Sequence, residues 1–344
     1  MWKYVLKRII LVFFTAFITL SLTYILLSCL PVVKPQYSSE GQLIAYLENQ
    51  YRLGFLLRFE SEQHNSLVFF QSCNIGTSTY YYYLKPVMDR YFDFLGRVFT
   101  NWDWGYSTQL KLGTAAMDLI MERLPVSIRI NIISTFISVP LGIIVGIIAA
   151  LNKDKPIDHV INVLIMVSIS IPGFVTITYL ILWFAYGTHW LPYRWPEVIS
   201  DATTITKGYI IPVVSLTFGT VAGFARYVRA ELCEVMSSEY LLLARTKGLT
   251  RRQAIIHHAL RNSMVPVVPM IVAEFFSILG GSIILEQIYN IQGIGSLYMS
   301  AFTAKDYNVL MCDMAFYTII GLAANILVDL SYGFIDPRIR MGER

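Results

Sequence analysis

The sequence predicts an all-α integral membrane protein with six transmembrane helices and with both termini in the cytoplasm. Three observations support this fold class. Of the 344 residues, 55% are apolar and only 15% are charged, whereas soluble domains usually contain about 25% charged residues. Six segments are apolar and long enough to cross a bilayer. Lys and Arg are concentrated in every second loop between these segments, which is the pattern of the positive-inside rule.

The six predicted spans are the longest runs with few charges. A transmembrane helix needs about 20 mostly apolar residues, because the hydrocarbon core is about 30 Å thick and a helix rises about 1.5 Å per residue. Four runs carry no charge, the fifth contains Glu274, and the sixth contains Asp313 and Asp329. The uncharged stretch Ser66–Leu84 is excluded, because its polar side chains would be costly to desolvate. The predicted spans are 9–30, 130–151, 160–184, 209–225, 264–285 and 307–335.

The first span follows Lys3, Lys7 and Arg8 and so has the beginning of a secretory signal. Its uncharged run of 22 residues, 9–30, is longer than the usual apolar region of such a signal, which is about 7–15 residues, and no A-x-A cleavage site follows. We therefore expect it to be retained as an anchor.

The basic residues of the short loops set the orientation. If the N-terminus is cytoplasmic, the short outside loops contain only Arg194, Lys207 and Lys305, so both termini are predicted inside. The long outside segment is large enough for a small cap but not for an independent folded domain. The sequence then divides into an N-terminal helix (1–30), an extracytoplasmic segment (31–127) and a core of five further helices (128–344) that includes an inside connection (229–262).

No catalytic or cofactor motif is present in the sequence. It has no G-x-x-x-x-G-K-[ST] phosphate loop, no G-x-S-x-G elbow and no H-E-x-x-H. The four cysteines lack metal-ligand spacing, and the adjacent His257 and His258 point about 100° apart on a helix. We therefore expect no enzyme activity and no cofactor in this chain. If transport uses nucleotide energy, another polypeptide chain must hydrolyse the nucleotide. The net charge of +4 gives no reason to expect nucleic acid as a partner.

The acidic residues within the predicted spans have two interpretations. Ionisable groups inside a span are candidates for a proton or substrate path. Asp313 and Asp329, however, lie near the two ends of their span, where we expect them to cap a helix or pair with interfacial groups. Glu274 lies about ten residues into its helix, and for it both interpretations stay open.

The inside connection 229–262 is too long for a simple turn, and its pattern predicts two short helices. Ser238 is the expected N-cap of the first helix, in which Tyr240, Leu243, Ala244 and Lys247 follow at helical spacing. Gly248 is expected to end this helix, because glycine adopts the left-handed C′ conformation without a steric penalty.

The second short helix begins at a predicted capping box. Thr250 and Gln253 have the required spacing, and the helix is expected to run to about Arg261. We call this helix–glycine–helix connection, residues 229–262, the elbow. Small residues at 244 and 248 would let the surface of a partner protein approach the backbone. The nearby cations could form ion pairs with acidic residues around the docking site of that partner. The alternative is a helix that rests on anionic lipid headgroups.

The elbow resembles the "EAA" coupling loop of ABC importer permeases. The residues that carry the resemblance are Tyr240–Leu249, His258–Asn262 and Pro266–Val268. Their form is that of the first, B-type permease of the dipeptide, oligopeptide and nickel branch. The wider pattern would have Glu-Ala at Leu242 and Leu243 and Pro at Arg261, so the chain departs from it while agreeing with the branch.

Further matches are spread over nearly the whole chain. They are Glu122–Pro125, Ser170–Pro172, Trp190–Pro192, Gly293–Gly295, Lys305–Tyr307, Asn325 with Asp329, and Asp336–Arg338.

The resemblance implies the type I ABC importer permease fold in a multi-pass protein of a prokaryotic cytoplasmic membrane. It also implies a second, homologous permease, two cytoplasmic ATPases that bind ATP and Mg, and an extracytoplasmic substrate-binding protein that delivers peptides. After peptides, nickel or another small substrate of the branch is the second candidate for the transported substrate. A stand-alone ion-coupled transporter and a membrane scaffold without transport are the alternatives of another class.

The expected site residues follow partly from the resemblance and partly, for Glu239, Lys247 and Arg251, from their position beside the motif and their charge. Ala244 and Gly248 match motif positions and are the main candidates for coupling to the ATPases, and Glu239, Tyr240, Lys247 and Arg251 are their neighbours.

The chain departs from the branch at two places. The branch often has an uncharged polar residue where this chain has Glu274, and our hypothesis is that Glu274, with Ser277, lines the translocation path and meets a peptide α-amino group. The segment 31–127 also looks longer than usual. Its aromatic cluster, Tyr80–Tyr83 with Trp102 and Trp104, either contacts the binding protein or forms an interfacial belt.

Overall fold

The computed structural model describes residues 2–30, 40–52, 54–61, 66–197 and 200–335. These residues form two compact units. The small unit contains the described residues of Phe13–Met121 together with Ser300–Thr318, and the large unit contains the other described residues.

Most of the described residues are helical. The helices are α1 (Trp2–Ser28), α2 (Glu40–Arg52), α3 (Val87–Asn101), α4 (Ala116–Leu151), α5 (Pro156–Ser170), α6 (Gly173–Leu180) with a π-helical extension (Ile181–Gly187), α7 (Ala202–Gly208), α8 (Ile210–Met236), α9 (Glu239–Thr246), α10 (Arg251–Ala254) with a π-helical extension (Ile255–Ala259), α11 (Leu260–Ser263), α12 (Val267–Ser277), α13 (Ile283–Ile288), α14 (Ile294–Ala304) and α15 (Tyr307–Ile335). The strands are β1 (Leu56–Phe59), β2 (Val68–Ile75) and β3 (Ser78–Leu84).

Among the described residues, four helices are long and apolar enough to cross a membrane, or up to six if each of two bent helix pairs is one span. α15 has the bounds predicted for the last span. The prediction of one helix over 160–184 is wrong, because the chain bends by 96° between α5 and the helix that begins at Gly173. The cause is Pro172, which disfavours the α conformation at Ile171, and that residue is extended, with φ −89° and ψ 116°.

The predicted span 264–285 is also not a single helix. α12 ends at Ser277, Gly281 has φ +60°, and Leu285 lies in the separate helix α13. A bend of 54° also separates α12 from the helix that ends at Ser263. A run with a single charge therefore predicted the apolar environment of this segment but not the continuity of its helix.

The all-α prediction is wrong for the segment after α1, since the small unit contains an antiparallel sheet with the strand order β1-β3-β2. In the register, β3 is the central strand: Phe59 pairs with Tyr81, and Ile75 pairs with Ser78. Gly76, which has φ +65°, and Thr77 connect β2 to β3. A positive φ at the first of two turn residues is typical of a type II′ hairpin turn.

The core of the small unit lies between α2 and the sheet. It is formed by Tyr46, Leu47, Leu56, Phe70, Cys73 and Tyr82. The predicted aromatic cluster therefore does not form one surface: Tyr82, Tyr83 and Trp104 are buried, whereas Trp102 is exposed. The stretch Ser66–Leu84, which we excluded as a span, contributes two strands of this sheet.

Asp306 fixes the loop before α4 to the start of α15 within the small unit. Its buried Oδ2 accepts hydrogen bonds from the Ser107 hydroxyl at 2.6 Å and from three successive backbone N–H groups, those of Thr108, Gln109 and Leu110, at 3.0–3.1 Å. A carboxylate that satisfies several buried donors holds a loop firmly, because each unpaired donor would cost roughly 1–3 kcal/mol.

In the large unit, α4 and α8 pack so closely that two glycines of α4 have no room for a side chain. A Cβ at Gly142 would lie 2.6 Å from the Phe224 Cβ, and a Cβ at Gly146 would lie 2.7 Å from the Ala225 carbonyl oxygen. A second core joins α6, α8 and α13, and Tyr289 at its centre donates its hydroxyl to the Pro192 carbonyl at 2.9 Å.

We predict that Glu48 stabilises the sheet only above acidic pH. Its carboxylate accepts hydrogen bonds from the Tyr82 hydroxyl at 2.6 Å and the Arg58 guanidinium at 2.7 Å, and these hold the pKa of Glu48 below its ordinary value. A lowered pKa in the folded state means that the stabilisation is present above the unfolded pKa, about 4.3, and is lost as the pH falls through the lowered value. Glu48→Gln should reduce protection of β3 about fivefold at pH 7 and flatten its pH dependence.

Hydrogen–deuterium exchange of residues 78–84, corrected for the intrinsic effect of pH, measures this protection. Glu60→Gln is the matched control, because Glu60 is an exposed carboxylate just beyond β1. Equal loss of protection on acidification in Glu48→Gln and the parent chain would show that another group is responsible.

Candidate functional site

The first helix of the elbow has the predicted ends. α9 begins after Ser238, which has the extended backbone of an N-cap, with φ −78° and ψ 149°. The Ser238 hydroxyl does not cap the helix, however, and donates instead to the Val235 carbonyl at 2.6 Å. The helix ends at Thr246, and Gly248 has φ +96°, so the predicted glycine end of the helix is confirmed.

The second helix begins at the predicted capping box. The Thr250 hydroxyl accepts from the Gln253 N–H at 3.3 Å, and the Gln253 side-chain oxygen accepts from the Thr250 N–H at 3.0 Å. Its second turn is π-helical. Ala254 and Ala259 are both fully buried although they are five residues apart, and the wider turn explains how they share one face.

The elbow rests on the ends of α4 and α8. One apolar cluster joins Leu241 of α9 and Ile255 of the second helix to Ala150 of α4 and Leu232 of α8. Apolar contacts with both long helices fix the orientation of the two short ones, which would be marginal on their own. We call this cluster the seat of the elbow; its buried members are Ala150, Leu232, Leu241, Ala254, Ile255 and Ala259.

The buried and exposed sides of α9 differ from those expected. Ala244, which was expected to be open to a partner, lies on the buried side with Leu241 and is only 9% exposed. Leu242 and Leu243 are instead exposed by 62% and 56%. Apolar periodicity in a helix of eight residues cannot by itself show which side faces the protein.

The exposed side of α9 is therefore different from the predicted one. Glu239, Leu243 and Lys247 follow at i, i+4 and i+8, so they lie along one side of the helix, and all three are exposed. With the exposed Tyr240 and Leu242 they form what we call the elbow face. Gly248 continues it at the turn, where no heavy atom lies within 4 Å of the position a Cβ would take.

A basic cleft borders the elbow. Its volume is about 520 Å³, and its lining contains Lys153, Lys155, Arg245 and Arg251 but none of the described carboxylates. Arg251, predicted as a neighbour of the coupling residues, is exposed here at the start of the second helix.

The elbow lies within a segment whose sequence matches a known protein family. Residues 142–341 match the family described as "Binding-protein-dependent transport system inner membrane component". The chain belongs to this family of permeases.

Three relatives show how far the similarity extends. The dipeptide transport system permease protein DppB of Lactococcus lactis subsp. cremoris (strain MG1363) is 28% identical over 344 residues, 99% of this chain and 100% of the relative. DppB of Bacillus subtilis (strain 168) is 32% identical over a region that covers 77% of this chain and 83% of the length of that relative. The oligopeptide transport system permease protein OppB of Escherichia coli (strain K12) is 32% identical over 76% and 83%.

Among solved structures, the crystal structure of an amino acid ABC transporter with histidines matches 63% of this chain and 94% of its own, with 19% identity and a TM-score of 0.49. The membership of the family makes this chain a multi-pass membrane permease subunit of an ABC importer. Permeases of this family work with a second permease, ATPases and a binding protein, and ATP is hydrolysed by the ATPases.

Sequence reasoning missed an ion pair that joins two helices of this permease. Asp158 at the start of α5 is 1% exposed and accepts from Arg229 of α8 at 2.6 Å (Nε) and 2.7 Å (Nη2). The Asp154 N–H and the Asn162 amide also donate to this carboxylate. The sequence signal for this pair was weak: an Asp two residues after a Pro in the first turn of a helix. An Asp at this place is also common when it only interacts favourably with the helix N-terminus.

The two candidate path residues lie in α12. Glu274 is half-buried, and its polar neighbours are Thr220 of α8 and Ser277. Ser277 is exposed, and its hydroxyl donates to the Glu274 carbonyl at 2.6 Å. The structure thus brings Glu274 and Ser277 together, on a helix that contacts α8.

The other two acids of the predicted spans differ in their surroundings. Asp329 forms an ion pair with Arg8 in the large unit, which confirms the expectation that it pairs with another group. Asp313, in the small unit, is fully buried.

A second carboxylate missed by sequence reasoning is Glu286 in α13. Burial raises its pKa. It accepts from the Ser127 hydroxyl at 2.7 Å and from the Ser296 N–H at 2.9 Å. Gly281 and Gly293 pack so closely around it that a Cβ at Gly281 would lie 2.5 Å from its Oε1. Glu286 therefore holds together the breaks on both sides of α13.

We predict that the Asp158–Arg229 pair is stabilising only as a pair. Arg229→Met leaves the buried Asp158 carboxylate without its partner, which typically costs about 3–5 kcal/mol, and Asp158→Asn should cost less because the Arg229 guanidinium is partly exposed. The double variant removes both charges and should recover most of the loss. The melting temperature of the purified permease measures the effect, and Arg226→Gln, an exposed cation one turn earlier on α8, is the control. Strictly additive losses in the double variant would contradict the coupling.

Proposed function

We propose that this permease forms half of the translocation path of an ATP-driven peptide importer. It pairs with a second, homologous permease, receives di- or oligopeptides from an extracytoplasmic binding protein, and is driven by two cytoplasmic ATPases that bind ATP and Mg. The elbow face is the observation that supports this function best. Two adjacent exposed leucines on a short helix that packs on two long helices form an apolar surface patch of the kind that marks an interaction site.

The proposed topology has six spans, with both termini in the cytoplasm of a prokaryotic cell. Each of the two bent helix pairs then counts as one span. The elbow and the basic cleft beside it lie on the cytoplasmic side, in agreement with the positive-inside rule. This orientation brings the elbow face to the side on which ATP is hydrolysed.

Coupling through the elbow needs a rigid connection to the long helices. The seat joins the elbow to α4 and α8, and the Asp158–Arg229 pair joins α8 to α5. A displacement of α9 by an ATPase would therefore move α4, α5 and α8 together. Rigid-body movement of packed elements is a common mechanism of switching.

The names of the relatives favour peptides as the substrate. Two of them are dipeptide permeases and one is an oligopeptide permease. Nickel or another small substrate remains the second candidate, and the binding protein would distinguish them. A stand-alone secondary transporter would instead move its substrate without ATPase subunits, and a scaffold would have no transport phenotype.

We predict that Gly248→Glu uncouples the transporter. Gly248 has a positive φ and open space around it, so a glutamate strains the turn and brings a negative charge to the docking face without a steric clash in this chain. Substrate-stimulated ATPase activity of the purified complex should fall at least about tenfold, while the permease still inserts into the membrane.

Gly248→Asn is the matched control, because asparagine adopts positive φ more readily than other residues with a side chain. It should retain most of the activity. Undiminished peptide uptake by Gly248→Glu would overturn the role of the elbow. If the elbow instead rests on lipid, copurification of the ATPases should not change in Leu243→Asp.

The proposed path lies among polar side chains of α4, α8 and α12. Ser134 and Thr217 are hydrogen-bonded at 3.2 Å between α4 and α8, and Glu274 is close to Thr220 one turn further along α8. Hydroxyl groups and a carboxylate suit the amide and amino groups of a peptide. In this arrangement Glu274 meets the α-amino group, and Ser277 lies beside it.

We predict that Glu274→Gln reduces the preference for peptides with a free α-amino group. The ratio of uptake of a free dipeptide to that of its N-acetylated form should fall several-fold, because the charge that attracts the ammonium group is absent. Glu274→Asp, which keeps the charge, and Ser277→Ala, which does not change it, are the controls. An unchanged ratio in Glu274→Gln would exclude this contact.

A further inference from the structure

Three arginines converge on one cleft of the small unit. The cleft has a volume of about 490 Å³ and is lined by Arg52 at the end of α2 and by Arg90 and Arg97 of α3, with Tyr24 and Phe92. Asp93 is the one carboxylate among the lining residues, and it already forms an ion pair with Lys85. The cleft therefore has a clear excess of positive charge.

Two of these arginines have unused hydrogen-bond donors. Arg90 is only 8% exposed, and one Nη donates to the Ser28 carbonyl at 3.1 Å, but its buried Nε–H has no partner. The buried Nε–H of Arg97 also has none. Burial lowers the pKa of the Arg90 guanidinium. Buried donors of this kind are costly unless a ligand satisfies them.

An apolar stripe on α3 borders the cleft. Met88, Phe92, Phe99 and Trp102 are all exposed; the spacing of the first three places them on one face of the helix, and Trp102 follows at its C-terminal end. Phe92 belongs to both the stripe and the cleft lining. A helix with an exposed apolar stripe that ends in Trp is typical of the membrane interface.

The position of α3 agrees with an interfacial location. The Tyr91 hydroxyl donates to the Ser21 hydroxyl at 2.7 Å, and the rings of Tyr24 and Phe94 stack with centroids 4.2 Å apart. α3 therefore packs on the last turns of α1, at the end of an apolar span (Leu6–Ser28). The end of a span is the level at which lipid phosphates lie.

We propose that this cleft binds the phosphodiester headgroup of an anionic phospholipid, with an acyl chain along the stripe of α3. The guanidinium groups of Arg90 and Arg97 donate to the phosphate oxygens, and Arg52 closes the cleft from α2. Guanidinium groups suit this ligand, because their planar set of donors matches phosphate oxygens. An acidic protein partner would use the charges but would leave the adjoining stripe unexplained.

The direct test is a titration of the purified full-length chain in detergent with dioctanoyl phosphatidylglycerol, with bound lipid counted by native mass spectrometry. Arg97→Gln should weaken binding about fivefold, and Arg52→Gln with Arg97→Gln about 25-fold, as expected for the loss of one and two basic residues near an anionic headgroup. Arg90→Gln is not used alone, because Arg90 also bonds the end of α1.

Arg194→Gln is the matched control, because it removes an exposed arginine of the large unit, and it should leave the affinity unchanged. Equal affinities in all variants would overturn the proposal, as would equally tight binding of dioctanoyl phosphatidylcholine. Inorganic phosphate is the second ligand. If it displaces the lipid at equal concentration, the site is one for free phosphate and the lipid assignment is wrong.

The position of the stripe has its own measurement. In vesicles of phosphatidylcholine brominated near the headgroup and phosphatidylglycerol at a ratio of 3:1, Trp102 should be quenched. The fraction of fluorescence quenched should therefore fall in Trp102→Phe but not in Trp104→Phe, because the Trp104 ring is buried in the small unit. An equal quenched fraction in Trp102→Phe and the parent chain would place α3 away from the bilayer.

Discussion

The requirement that every backbone polar group in an apolar segment has a partner determines where the helices of this permease can break. A straight helix satisfies its own N–H and C=O groups, but a break frees several of them, and lipid offers no replacement. At the break before α6, the Pro172 carbonyl accepts from the Val175 and Thr176 N–H groups at 2.9 and 3.2 Å, and the Ser215 hydroxyl of α8 adds a hydrogen bond to the Gly173 carbonyl at 3.2 Å. At the end of α12, the Asn131 amide of α4 donates to the Ile278 carbonyl at 3.0 Å. The break after α12 thus depends on a polar side chain from a neighbouring long helix, and the break before α6 is braced by one.

The breaks around α13 follow the same rule and show why the sequence did not reveal them. The Ser127 hydroxyl, which donates to Glu286, also accepts from the Ile294 N–H at 2.9 Å, and the second oxygen of Glu286 accepts from the Ser296 N–H. Ser127 and Glu286 are 159 positions apart in the chain. A window that counts charges in a run of 20 residues contains no such information. It predicted α15, which is one uninterrupted helix, but it joined α12 to α13 across a break.

The elbow was predictable to the extent that its signals are local. Gly248 and the pair Thr250 and Gln253 act over three or four residues, so the end of one helix and the start of the next could be read from the sequence. The orientation of α9 could not, because it depends on apolar contacts with α4 and α8. Leu241 and Leu242 are adjacent and chemically identical, yet one is buried in the seat and the other is exposed. Only the position of the long helices decides between them.

The Asp158–Arg229 pair joins two long helices, α5 and α8. Because α8 also carries part of the seat, the pair affects how the elbow is held. Replacing both members with apolar residues of similar size would be expected to cost little, because desolvation offsets most of the attraction in a buried pair. A bidentate pair with two further donors nevertheless fixes the relative position of two helices more narrowly than apolar contacts do. The fork of two hydrogen bonds at 2.6 and 2.7 Å adds a directional constraint to the apolar contacts. On the proposed coupling through α9, the pair would transmit movement from α8 to α5 more than it would add stability.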